Sequence, residues 1–381
     1  MSLGEAKGAF FMKNWKKLTA AALAALALAG MLAGCGNDAD KKVANKQATK
    51  IVTDLKGREV SVPQDVKRLA VVPIPWASVI YAIDGSSERL AAVHPGAMSA
   101  YTGKFLETKD KHFAQVDTKI VAQNFSVNIE SAAQAGVDTA VLWQYQEKDA
   151  EKLAKVGIPT VLIYNDTVDN LKKSFLIIGK LLGKEERAEQ INKAYDMTTE
   201  KIMAKKAWEQ ADKPKVLFLR NSKLRLQGND NFVHEAIRIG GGQNPYEQIA
   251  LNASSEQTIP MEEVYKLNPD IILLSNFDKF VPDDLYNNKI AGQDWSTVKA
   301  VQEKRVYKVP MGIYRWDAPG VETPLMMEWL AHVLQPELFK EIDVRANAKK
   351  FYEDYMHYQI SEADMAQIFA DEANKNSKPL F

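Results

Sequence analysis

The chain has 381 residues, with 49 lysines and arginines against 49 aspartates and glutamates. That balance offers no charge field for nucleic acid or for an anionic membrane surface, so no nucleic-acid partner is expected and any ligand has to be recognised locally. One cysteine, Cys35, excludes an internal disulfide and any site built from several thiolates.

The first predicted element is an export signal. Lys13, Lys16 and Lys17 make a basic start, and residues 18–33 are apolar apart from Thr19 and Gly30. Residues 1–34 therefore read as a secretory signal, with 1–11 as an upstream extension and Met12 as the natural start. The apolar run is shorter than the roughly 20 residues of a membrane-spanning helix. Leu32-Ala33-Gly34-Cys35 has the form of a lipobox: a diacylglyceryl group on the Cys35 sulfur, cleavage before it, and a membrane anchor for an exported protein. Residues 35–50 read as a lipidated flexible tether, since Val43 is the one bulky apolar residue of 36–50.

The roughly 330 residues that follow exceed one comfortable core and suggest two domains. Short apolar runs give strand candidates at Leu69–Val72, Leu90–Val93, Thr139–Leu142, Thr160–Ile163, Val216–Leu219, Ile271–Leu274 and Val306–Val309. Amphipathic stretches separate them, which predicts α/β layers with mainly parallel sheets. Lys184–Gln210 lacks glycine and proline and is expected to form a helix of roughly 40 Å. The division is then an N-terminal α/β lobe (51–183), an interlobe helix (184–210) and a C-terminal α/β lobe (211–381). "NIESAAQAGVDTAVLW" (128–143) and "PMEEVYKLNPDIILLS" (260–275) each run from a glutamate through about two helical turns to an aspartate and an apolar strand. Glu130 to Asp138 and Glu262 to Asp270 span the same eight positions. Such an echo predicts two similar sheets facing one another across a cleft.

These two units, with "TDLKGREVSVPQDVKRLAVV" (53–72), "LLGKEERAEQINKAY" (181–195), "FVHEAIRIGGGQN" (232–244) and "RWDAPGVETPLMMEWLAHVLQPELF" (315–339), carry a resemblance. The chain resembles the substrate-binding lipoproteins of ATP-binding-cassette (ABC) importers, class III periplasmic binding proteins, which serve iron-siderophores, haem and cobalamin and include some molybdate binders. The resemblance implies two similar lobes joined by one long rigid helix, a ligand cleft between them and modest closure. It implies a permease partner, and through it an ATPase. It also implies that one glutamate at the tip of each lobe docks onto permease arginines; by position these are Glu130 and Glu262, with Glu263 a competitor. The plain alternative is that each glutamate stabilises a helix start, worth roughly 0.3–1 kcal/mol.

Ligands of α/β sheets bind at the carboxyl ends of strands. The candidate contacts are Trp76, Tyr101, Asn124, Phe125 and Tyr145 in the first lobe, and Arg220, Asn221, Arg225, Asn276, Tyr314, Arg315 and Trp316 in the second. Aromatic faces with a few fixed cations suit a bulky, partly apolar anion, such as a ferric siderophore with carboxylate or catecholate groups. Any metal then belongs to the transported chelate, and no cofactor or direct metal site is expected. Cobalamin, haem (with His94, Tyr101 or Tyr314 as axial ligand) and molybdate remain alternatives. Trp76 fits a lobe core equally well, and Trp143 fits core better than cleft. Gly240-Gly241-Gly242 follows a helical stretch and reads as a helix-ending turn, not a phosphate cradle. The five histidines form no His-x-His or His-x-x-x-His pair, and no Gly-x-Ser-x-Gly elbow occurs. An exported hydrolase is therefore the weaker alternative from another class, as is a scaffolding lipoprotein.

Overall fold

Two strands absent from these expectations open the fold: β1 (Thr49–Thr53) and β2 (Glu59–Pro63) form an antiparallel hairpin. Only Val52 and Val62 of the pair are fully buried, so the hairpin carries too little alternation to announce itself. The computed structural model describes residues 48–227, 231–246 and 257–380; the signal segment and Cys35 lie outside the described residues. The Asp54 carboxylate, in the hairpin turn, accepts the backbone N–H of Leu162 at 3.3 Å and binds Arg58, fixing the hairpin to the first lobe. The strand at Thr49 also cuts into the span expected to be tether.

The first sheet has β3 (Leu69–Val71), β4 (Leu90–Val93), β5 (Thr139–Trp143) and β6 (Thr160–Ile163), in the order β4-β3-β5-β6, all parallel. The second has β7 (Val216–Leu219), β8 (Ile271–Leu274) and β9 (Val306–Lys308), in the order β7-β8-β9, also parallel. Both faces of each sheet are covered, as the unbroken apolar runs require. In the first, Ala70, Ala140 and Leu142 pack on one side and Val71 and Val141 on the other. In the second, Leu217 and Ile272 pack on one side, Phe218 and Leu273 on the other.

The internal echo is built in three dimensions. Helices Ile129–Gln134 and Met261–Leu267 carry Glu130 and Glu262 at their second positions, both exposed. Asp138 accepts the backbone N–H groups of Lys67 and Arg68 at 2.7 and 3.0 Å, just before β3; Asp270 accepts that of Lys215 at 2.8 Å, just before β7. Each aspartate thus ties the start of one strand to the start of its parallel neighbour.

Between the sheets the chain forms the helix Glu185–Met203, roughly 28 Å at 1.5 Å per residue. It is shorter than expected because Lys206 turns into the left-handed region (φ 49°) and a short helical turn, Ala207–Glu209, follows. The helix packs against Val168–Leu182 and Thr323–Leu334. A Cβ at Gly179 would stand 2.6 Å from that of Ala188, so glycine permits this approach. One apolar cluster runs from the first sheet (Val71, Val141, Val161) through Tyr195 to the second (Val216, Phe218, Ile271, Leu273) and on to Trp329.

Candidate ligand site

Three loops at the carboxyl ends of β7, β8 and β9 build the second-lobe side. Arg220, directly after β7, lays its guanidinium 3.6 Å from the centroid of the Phe277 ring and donates to Gln227 Oε1 at 3.0 Å. Arg315, in the loop after β9, places its guanidinium 4.6 Å from the same ring. Its Nε donates to the Asn276 carbonyl at 2.9 Å, and Nη2 reaches the first lobe at Ser99 Oγ, 2.7 Å away. Phe277, next to Asn276 in the loop after β8, is therefore the ring on which both arginines rest.

Asn276 donates its side-chain amide to the carbonyls of Val309 and Pro310 at 2.6 and 3.1 Å, so it braces one loop against the next. Lys308 gives its ammonium to the carbonyls of Ser275, Asp278 and Phe280 at 2.7, 2.7 and 3.0 Å. Burial brings its pKa down to about 8 against the pull of Asp317 and Asp278. Asp317 is wholly buried and accepts the Ser275 hydroxyl; burial pushes its carboxyl up, opposed by that bond and by Arg315, Arg220 and Lys308.

The loop after β9 hangs on Glu322. Its buried carboxylate accepts the backbone N–H groups of Ile313 and Tyr314 at 2.9 Å each, Trp316 Nε1 at 3.2 Å and the Tyr352 hydroxyl at 2.5 Å. Burial raises its pKa to about 7, although all four donors favour the ionised form. A Cβ at Gly312 would overlap Tyr352 Oη and Glu322 Oε1, so this junction admits only glycine.

Four expected contacts, Trp76, Tyr101, Tyr314 and Trp316, are corrected because they are buried. Trp76 is fully buried against Phe175, and Trp316 is fully buried with its N–H on Glu322 and Tyr352; both are core residues. Tyr101 is 1 % exposed, packs on Phe113 and donates its hydroxyl to the Asp110 carbonyl at 2.7 Å. Tyr314 is buried against Ala100, Met311 and Ala318, and burial pushes its phenol up. Asn124 and Asn221 spend their carboxamide oxygens on their own turns, the first on Ser126 and the second on the N–H groups of Lys223 and Arg225. Arg225 is half-buried in a backbone bridge with Thr258. Phe125, half-buried with φ 67°, stacks on His94 at 4.4 Å. His94 Nδ1 accepts the Gly96 N–H at 2.9 Å, leaving Nε2 to donate to the Gln123 carbonyl at 3.2 Å. Both its nitrogens are occupied, so it makes no axial ligand. Tyr145 is 63 % exposed at the carboxyl end of β5. The glycines 240–242 close a helix end against Ala331, Leu334 and Ala207, as a packing turn.

A cavity of about 950 Å³ opens beside this arrangement, with Ser99 from the first lobe and Phe277, Lys308 and Arg315 from the second in its wall. Its charged lining is six lysines and arginines against three aspartates and glutamates. Among the described residues no group of three or more His, Cys, Asp or Glu side chains is placed to hold a metal ion, and no helix is long and apolar enough to cross a membrane.

Two parallel α/β sheets, one helix between them and binding loops at the strand ends define a two-lobed solute-binding protein. The chain matches the family described as "Periplasmic binding protein" over residues 126–311. It is similar to the crystal structure of a periplasmic solute binding protein from Veillonella parvula, with 39 % identity, a TM-score of 0.83, and coverage of 88 % of this chain and 100 % of that one. It is 27 % identical over 337 residues to YvrC of Bacillus subtilis, an uncharacterized ABC transporter substrate-binding lipoprotein, covering 84 % of this chain and 98 % of that protein. To the molybdate-binding protein MolA of Haemophilus influenzae it is 23 % identical over 189 residues, 49 % of this chain and 52 % of MolA. The chain belongs to the periplasmic binding protein family; it is the solute-binding protein of an ABC importer and not an enzyme.

Proposed function

We propose that the protein captures an anionic metal chelate of the ferric-siderophore kind outside the cytoplasmic membrane, held there through a lipid on Cys35. It then hands the chelate to its permease, which grips Glu130 and Glu262. The observation that carries the ligand class is the pair Arg220 and Arg315 on one Phe277 ring, next to a cavity of about 950 Å³ with a basic excess in its lining. Guanidinium groups packed on an aromatic ring offer planar donors to carboxylate or catecholate oxygens, and the ring covers the organic shell. A cavity of that size matches pockets for drug-sized ligands.

Likeness to a molybdate-binding protein favours a small oxyanion as a second reading. A bare oxyanion would leave most of the 950 Å³ unfilled, which weighs for the chelate. Haem and cobalamin complete the set. The test is native mass spectrometry of protein purified from its source, followed by calorimetric titration with a ferric chelate, molybdate, haem and cobalamin. Micromolar or tighter binding of a ferric chelate, lost in Arg220→Ala, is the expected result. Binding of molybdate or cobalamin in its place overturns the chelate reading.

A further inference from the structure

At the carboxyl ends of β5 and β6 three aromatic rings stand together. Trp143 ends β5 and Tyr145 lies in the turn that follows, closed by the Gln146 N–H on the Trp143 carbonyl at 2.9 Å; the turn brings the two rings into a stack with centroids 6.3 Å apart at an interplanar angle of 18°. Tyr164, just past β6, meets both edge-on, at 5.8 Å from Trp143 and 6.2 Å from Tyr145, with angles of 87° and 89°. Stacked and edge-to-face pairs of this kind are the favourable aromatic geometries.

The backbone beneath is fixed on both strands. The Gln146 side chain accepts the Trp143 N–H at 3.2 Å and donates to the Phe125 carbonyl at 3.0 Å. The Ser174 hydroxyl accepts the Tyr164 N–H at 3.2 Å and donates to the Tyr164 carbonyl at 2.8 Å. So firm a base leaves the Tyr145 ring prebuilt and 63 % exposed, an arrangement a lobe core does not need. The sheet edge that carries the rings also faces the second lobe. Ser99 and Ala100, on that edge, touch Arg315 and Tyr314. Asn165 to Val168, next in sequence after Tyr164, share a cavity of about 340 Å³ with Phe232 and Pro319 of the second lobe.

We infer that Trp143, Tyr145 and Tyr164 form an aromatic shelf that reads a flat aromatic face on the ligand, while Arg220 and Arg315 hold its anionic groups. The first lobe supplies rings and the second supplies charge, so the ligand has to offer both. This rests on the anionic-ligand reading above and narrows it: citrate-like chelates and bare oxyanions lack the flat face. The face has two chemical sources, the catecholate rings of a ferric chelate and the macrocycle of haem.

The test titrates wild type, Tyr145→Ala, Tyr164→Ala, Tyr145→Phe and Arg220→Ala with a ferric tris-catecholate, haem and ferric citrate, read by calorimetry and tryptophan quenching. One aromatic ligand is expected to bind at least tenfold tighter than ferric citrate, and which one does so identifies the source. Tyr145→Ala and Tyr164→Ala should each weaken it at least tenfold, as for a stacked anchor. Tyr145→Phe should restore it, and ferric citrate should bind the shelf variants like wild type. Wild-type affinity in both alanine variants, or ferric citrate binding as tightly as the aromatic ligand, overturns the shelf and leaves the chelate reading standing. Full binding in Arg220→Ala with loss in the shelf variants overturns the anionic reading and upholds the shelf. Failure of all three probes on wild type overturns both.

Discussion

Glu322 makes the stability of this protein depend on pH in a calculable way. Its folded pKa stands at about 7 against an ordinary 4.5 because burial penalises the carboxylate. A raised pKa means that the folded state binds the proton more tightly than the unfolded state. The group's stabilisation is complete below pH 4.5 and is lost as pH rises through 7. At about 1.4 kcal/mol per unit the full difference is about 3 kcal/mol, of which about 2 kcal/mol falls between about pH 5.5 and about pH 8.5. Glutamine keeps one acceptor oxygen and cannot ionise. It strands one of the N–H donors now shared between the two carboxylate oxygens, at a pH-independent cost of roughly 1–3 kcal/mol.

Urea denaturation of wild type and Glu322→Gln at both pH values separates these effects. Lys308 and Asp317 titrate alike in both proteins and cancel in the difference. The stability gap should move by about 2 kcal/mol in favour of the glutamine variant as pH rises. Parallel stability profiles over that range would refute the assignment of a neutral carboxyl to this junction.

Gly312→Ala should destabilise by about 3 kcal/mol or more, seen as a lowered urea midpoint, because the methyl overlaps Tyr352 and Glu322. Arg315→Ala should weaken ligand binding by roughly 1–3 kcal/mol and cost a further roughly 1–3 kcal/mol of stability through its lost bonds to Asn276 and Ser99. Trp316→Ala, by contrast, should cost about 3–5 kcal/mol of stability, as deletion of a buried indole does; calorimetry and thermal melts together tell the two apart. Cys35→Ala should abolish lipid labelling and move the protein from the membrane to the soluble fraction. Glu130→Arg with Glu262→Arg should stop vesicle uptake by the purified permease while ligand affinity and melting temperature hold; normal uptake would end the docking proposal.

Much of the fold was legible because buried parallel strands are short, apolar and bounded by turns. Thr160–Ile163, Val216–Leu219 and Ile271–Leu274 occur where their apolar runs stand. The repeat was legible because Asp138 and Asp270 have a local job, capping the start of a neighbouring strand, that holds them at a constant distance from Glu130 and Glu262. The β1–β2 hairpin was not legible, since its buried surface is one valine per strand. Among the loop residues, type alone misled. An indole or phenol after a strand serves core and cleft equally well, and long-range partners decided for the core: Phe175 for Trp76, Glu322 and Tyr352 for Trp316, the Asp110 carbonyl for Tyr101. Glu322, and the part that Phe277 plays beneath the two arginines, escaped notice for the same reason. Their roles exist only when β7, β8 and β9 bring Arg220, Arg315 and the Gly312 turn to one place.

The parallel sheets also relate the ligand loops to the two glutamates. A helix that returns the chain to the start of a parallel strand runs against that strand, so its amino end lies at the sheet's carboxyl edge. Glu130 and Glu262 occupy such amino ends ahead of β5 and β8. Tyr145 and Phe277 follow those same two strands. In each lobe the exposed glutamate and the proposed ligand loop therefore share one edge, and a partner that grips both glutamates would stand over the proposed ligand site. The apolar cluster that joins both sheets through Tyr195 makes wide hinge opening costly, since separating the lobes would expose it to water. Release then favours a partner that pulls modestly at both lobe edges over one that unfolds the cleft.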